Sequence, residues 1–189
     1  NVRQALMEVQ QYFDTPVIRY SKEEDSREGT PLLVVLHGYG ADENDLFALT
    51  PYLPANYTVA AVRAPLSMYP GFTWFPLDQQ LNTDPKHVVD ALTGLDRWVE
   101  SGFAIDASQT PEVNELFDDA GLAARSPKLP MFWGRDQEDP VIPQTKVEFT
   151  HGWVRDHVNL TKVLYANMGH GINQQELGHI REFLDAINA

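Results

Sequence analysis

Five consecutive apolar residues, Leu32-Leu33-Val34-Val35-Leu36, run directly into His37-Gly38-Tyr39-Gly40. A strand with one wet face alternates apolar and polar residues, so a run with no polar member reads as a strand covered on both faces. The glycine-bearing turn is followed by Asp42 as a helix N-cap, with Asp45 three residues on and Leu46, Leu49 and Leu53 as the buried stripe. Strand, tight turn and helix in that order make half of a βαβ unit.

The rest of the chain repeats the alternation. Leu6, Val9 and Phe13 suggest a short opening helix, and Val17-Ile18-Arg19-Tyr20 a strand. Tyr57 to Val62 reads as a second buried strand, followed by a long aromatic loop from Leu66 to Asp84. Asp84-Pro85 opens a helix with Val88, Leu92, Leu95 and Val99 on its buried face. Pro130 to Trp133 is a strand ending at Gly134, Gln144 to Arg155 a helix, Leu160 to Ala166 a strand, and Gln174 to Asn188 a final helix. This order predicts the α/β class: one domain over residues 1–189, with a mostly parallel sheet and helices on both faces. Chemistry in such folds sits on loops beyond the carboxyl ends of the strands.

Composition narrows the partners. Asp and Glu number 27 against 14 Lys and Arg, a net charge of −13, which repels phosphate backbones and excludes nucleic acid as a partner. No apolar run reaches the ~20 residues of a membrane span. The first residues carry no charged-then-apolar leader pattern, so the cytoplasm is the expected compartment. There are no cysteines, which excludes disulfides, thiolate metal sites and a cysteine nucleophile.

Three strand-end loops carry the chemistry. His37-Gly38-Tyr39-Gly40 can present a backbone N–H to an oxyanion, or it can be an ordinary strand-to-helix turn. In Gly134-Arg135-Asp136-Gln137-Glu138-Asp139-Pro140, Asp139 sits on a rigid turn where a carboxylate could orient a histidine; Asp136 and Glu138 compete for that role. In Met168-Gly169-His170-Gly171, flanking glycines leave His170 room to project into a cleft. An acid after a late strand, then a histidine before the last helix, is the Asp…His order of an α/β-hydrolase. His37 reads as a brace for its own turn, and His179 lies on the final helix.

Together these segments resemble the phospholipase/carboxylesterase branch of the α/β-hydrolases, which includes the acyl-protein thioesterases. Leu33 through Leu46 is similar to its opening strand and oxyanion loop. Arg63-Ala64-Pro65, then Trp74-Phe75, resembles its next strand end and substrate loop. Phe132-Trp133-Gly134 through Asp139-Pro140-Val141-Ile142-Pro143 resembles its acid motif, and Gly169-His170-Gly171-Ile172 with Glu176-Leu177 its histidine motif. The likeness runs from about Val17 to Leu184. It implies an esterase or thioesterase with His170 as general base and later acid, and Asp139 holding the histidine. It further implies the Tyr39 N–H as one oxyanion donor, Gly40 keeping the loop open, and no metal or organic cofactor. Tyr69, Phe72, Trp74 and Phe75 would line an acyl pocket, with core packing the other reading for Trp74. The partner would be a small ester or thioester; a homodimer stays open.

One part of the pattern is absent. The family places a G-x-S-x-G elbow between the helix near Trp98 and the acid motif, and this sequence has none. Its serines are Ser21, Ser26, Ser67, Ser101, Ser108 and Ser126. Ser101-Gly102-Phe103 resembles the end of the strand that follows the elbow helix. A strand, elbow, helix and strand, on the order of 35 residues, are therefore expected to be missing between Glu100 and Ser101. The other reading is that Gly102 caps the preceding helix. Two rivals to a serine esterase follow: a non-catalytic binding protein that has lost its nucleophile, and a carboxylate- or water-based hydrolase using Asp139 and His170.

Overall fold

The computed structural model describes residue 9 and residues 11–103 and 118–189. Leu6 of the expected opening helix and Ser108 lie outside the described residues. The elements are β1 (Ile18–Tyr20), β2 (Leu32–Leu36), α1 (Glu43–Phe47), β3 (Thr58–Val62), β4 (Leu66–Met68), β5 (Gly71–Thr73), α2 (Pro85–Phe103), α3 (Asp119–Ala124), β6 (Pro130–Asp136), α4 (Gln144–His157), β7 (Asn159–Tyr165) and α5 (Gln174–Ile187). They fall into two compact units, β1 to α2 and α3 to α5. The α/β class is as expected, and the parallel pairing occurs twice. The described strands nevertheless form three separate sheets instead of one.

In the first unit the sheet order is β1-β3-β2, with β3 parallel to β2 and antiparallel to β1. β3 is central, and all five of its residues are buried. β2 was expected to be covered on both faces, but its residues are half-buried and Leu36 is 42% exposed. The reason is its place in the sheet: among the described residues β2 pairs only with β3, so its outer edge has no strand beside it. The core joins Val9, Phe13, Ala60, Val62 and Trp98. α2 buries Ala91, Gly94 and Trp98; of the expected stripe, Leu95 and Val99 pack against the core and Val88 and Leu92 are half-buried. A Cβ at Gly94 would overlap the Phe13 ring, so that glycine allows the closest approach. Asp84 caps the helix through the Lys86 N–H at 2.9 Å. α2 runs unbroken through Glu100 and Ser101.

The expected aromatic loop after Pro65 instead contains the β4–β5 hairpin, Leu66 pairing with Thr73 and Met68 with Gly71. Tyr69-Pro70 forms its tip. Three-residue strands carry too little alternation to show in sequence.

In the second unit β6 and β7 pair in parallel from Pro130–Asn159 to Asp136–Tyr165. α5 packs on β6, α4 on β7, and α3 on α4. β6 continues through Gly134, where the sequence predicts its end. That extension makes Asp136 the last residue of the strand instead of a loop residue.

Candidate active site

The two loops that leave β6 and β7 meet through carboxylates. Asp136 is 3% exposed at the end of β6. It accepts the Glu138 N–H of its own turn at 2.7 Å and the N–H groups of Met168 and Gly169 from the loop after β7. Those backbone donors, Glu138 first, hold its carboxyl below the usual carboxylate range against the opposing effect of burial. One carboxylate thus ties the histidine loop to the strand end.

Asp139 divides its two oxygens. Oδ1 accepts the Val141 N–H at 2.7 Å and the Ile142 N–H at 3.3 Å, which closes the Asp139-Pro140 turn. Oδ2 lies 2.8 Å from Nδ1 of His170. Burial pushes the Asp139 carboxyl up, but the hydrogen bonds from His170, Val141 and Ile142 outweigh it and hold the group low. An ionised Asp139 requires the proton on Nδ1 of His170, which leaves Nε2 as the basic nitrogen. The His170 side chain is 52% exposed and that of Asp139 10%. The carboxylate is enclosed and the imidazole is open to solvent. Of the three acids in this turn, Asp139 alone meets His170; Asp136 holds backbone, and Glu138 is exposed. A cavity of about 550 Å³ opens between the two loops, walled by Glu138, Pro140, Asn167 and Met168.

In the first unit the His37-Gly38-Tyr39-Gly40 turn is clamped by the β4–β5 hairpin. The Gly40 N–H donates to the Phe72 carbonyl at 2.9 Å, and the Phe72 N–H to the Ala41 carbonyl at 2.8 Å. Gly40 has φ +77°, the left-handed region where a side chain is strained. His37 is 3% exposed; its Nε2 accepts the Ala64 N–H at 3.0 Å, and its Nδ1 lies 2.8 Å from the Gly38 carbonyl. Arg63 donates through Nε and Nη2 to both oxygens of Glu43, at 2.7 and 2.6 Å, joining the end of β3 to the start of α1. The Arg63 hydrogen bond holds Glu43 below the usual carboxylate range against burial. The sequence marks His37 as a brace for its turn and Arg63 only as part of a motif; their bonds to Ala64 and Glu43 depend on chain segments far away.

The aromatic residues separate in this geometry. Tyr69 is 98% exposed at the hairpin tip. The Phe72 ring lies under the Arg63 guanidinium, 4.6 Å from its centroid. Trp74 donates its indole N–H to the His37 carbonyl at 2.8 Å and packs on the core, the second of its two readings. Phe75 lines, with Trp74, Leu66 and His87, a void of about 30 Å³. Among the described residues no group of His, Asp and Glu is placed to hold a metal ion, and no helix is long and apolar enough to cross a membrane.

No family model matches the sequence, and a comparison with curated proteins finds no match. Solved structures do match. The chain is similar to a carboxylesterase from Bacillus cereus, with TM-score 0.64, 15% identity, and 94% of this chain and 98% of that one covered. It is similar to a carboxylesterase from Mesorhizobium loti, with TM-score 0.66, 13% identity and coverage of 89% and 93%. A phospholipase/carboxylesterase from Dyadobacter fermentans follows, with TM-score 0.58, 17% identity and coverage of 90% and 97%. At these identities the likeness shows the fold alone, the α/β-hydrolase fold.

Proposed function

We propose that the protein is a serine hydrolase of the carboxylesterase type, cleaving carboxylic esters or thioesters through an acyl-enzyme. The observation that supports this most is the Asp139–His170 pair at 2.8 Å on the last two strand-end loops of an esterase fold. In this reading Nε2 of His170 takes the proton from the attacking hydroxyl, and Asp139 stabilises the imidazolium that forms. His170 then returns the proton to the leaving group. The Tyr39 N–H supplies one oxyanion donor. The nucleophile and the second donor come from a segment that the 189 residues do not contain. The test is hydrolysis of short-chain esters and thioesters. Asp139→Asn and His170→Ala should each lower kcat/KM by roughly 10³–10⁴. Turnover unaffected by either substitution would reject the assignment.

A second reading has an observation of its own. No serine stands in a G-x-S-x-G setting, and α2 passes unbroken through Glu100 and Ser101. A binding protein that has lost its nucleophile fits both facts. Saturable binding of an acyl ester, with no product formed, would establish it.

A further inference from the structure

Of the two N–H groups that flank the Tyr39–Gly40 peptide, those of Tyr39 and Gly40, one is engaged and one is open. The Gly40 N–H is taken by the Phe72 carbonyl. The Tyr39 N–H has no hydrogen-bond partner among the described residues. Which way it faces depends on the other end of its peptide, the Gly38 carbonyl, because C=O and N–H of a trans peptide point in opposite directions.

The Gly38 Cα is uncrowded: a Cβ there would meet nothing within 4 Å among the described residues. What holds the peptide is therefore sought in the hydrogen bonds on the Gly38 carbonyl. The Gly38 carbonyl accepts from Ala41 N–H at 3.2 Å and lies 2.8 Å from Nδ1 of His37. The ring has no choice of tautomer. Its Nε2 faces the Ala64 N–H, which can only donate, so Nε2 must accept and Nδ1 must carry the proton. The Trp74 indole N–H, donating to the His37 carbonyl, fixes the backbone of the same residue.

We propose that His37 is a positioning residue whose neutral, Nδ1-protonated ring holds the Gly38–Tyr39 peptide so that the Tyr39 N–H is the donor left open. With the peptide flipped, a carbonyl oxygen would stand where the donor should be and would repel a developing oxyanion. The use of this donor rests on the esterase reading; its orientation does not.

Two substitutions split the ring's functions. In His37→Asn the amide nitrogen can stand in for Nδ1 and donate to Gly38, but nothing reaches Ala64. In His37→Gln the amide oxygen can accept from Ala64, but nothing donates to Gly38. Amide hydrogen exchange at Tyr39 and Gly40 in the full chain reads the turn, beside Tm for overall stability. The parent should show fast exchange at Tyr39 and protection at Gly40. His37→Asn should keep that contrast, and His37→Gln should reduce it about tenfold or more, out of proportion to any fall in Tm. A His37→Gln protein with the parent's contrast would overturn the proposal. Should neither variant fold, the ring ¹⁵N shifts of the parent decide: Nδ1 protonated supports it, Nε2 protonated refutes it. Normal exchange without ester turnover would count against the esterase reading and leave this inference standing.

Discussion

Replacing Gly71 by alanine tests the clamp on the His37–Gly40 turn. The added Cβ would stand 2.5 Å from the Gly40 carbonyl oxygen and closer still to that of Ala41. Both are backbone atoms, so neither can rotate away. Ordinary Cβ–oxygen contacts begin near 3.0 Å, so the hairpin must retreat by about half an ångström. The bonds Gly40 N–H to Phe72 and Phe72 N–H to Ala41, now 2.9 and 2.8 Å, then lengthen past useful range. Losing two such bonds costs about 1–3 kcal/mol. The stiffer unfolded chain offsets about 0.4–1 kcal/mol of that. The midpoints net to about 1.3 kcal/mol, which for a unit of about 100 residues is a Tm fall of about 5–10 °C. The control is Gly38→Ala, where a Cβ meets nothing and φ is not positive. Thermal unfolding followed by circular dichroism measures both. A Gly71→Ala protein as stable as the parent, or a Gly38→Ala protein as damaged as Gly71→Ala, would refute the clamp.

Three further outcomes are expected. Glu176 is 6% exposed, its Oε2 has no hydrogen-bond partner among the described residues, and burial pushes its carboxyl up. A raised folded-state value contributes stability below the unfolded pKa and loses it as pH rises through the folded one. Glu176→Gln should therefore be more stable than the parent at pH 8, by about 1 kcal/mol in urea unfolding, with the difference vanishing near pH 4. Asp136 has the opposite sign: its depressed carboxyl contributes stability above the unfolded pKa that disappears as pH falls through the folded value. Asp136→Asn should lower Tm at pH 7 and raise amide exchange at Met168 and Gly169, with the Tm gap closing in strong acid. Gly134→Ala drives a Cβ into Glu176 Oε1 and should lower Tm, while Gly134→Ala with Glu176→Ala recovers part of the loss because the obstruction is gone.

Local chemistry was readable in the sequence where it depended on neighbours along the chain. The Leu32–Leu36 run has the observed strand boundaries, Asp42 caps Asn44 N–H at 2.8 Å, and Pro85 is the first residue of its helix. What sequence could not supply was position within the sheet. An all-apolar run looks the same whether its outer edge is paired or bare, so β2 was expected to be covered and is not. The inward face of α2 was legible in part: Leu95 and Val99 pack against the core as expected, while Ala91 and Gly94 were missed because they pack closely by being small and a hydrophobic stripe is sought among large residues. Asp136, Glu138 and Asp139 could not be ranked by spacing, since the ranking turns on β6 running on to Asp136 and so pointing that carboxylate at the next loop. His37 was recognisable as a brace. Its proton and its hold on Gly38 follow only from a contact 27 positions away.

The central claim is the proposed acyl-enzyme, formed on a serine of the segment expected between Glu100 and Ser101. Intact mass of the expressed protein, before and after a serine-directed fluorophosphonate, tests it in one experiment. The account predicts a mass above 21.3 kDa by about 4 kDa, the weight of a strand, elbow, helix and strand, and a single adduct on a serine within that added segment. A mass of 21.3 kDa with no adduct and no ester turnover would contradict it.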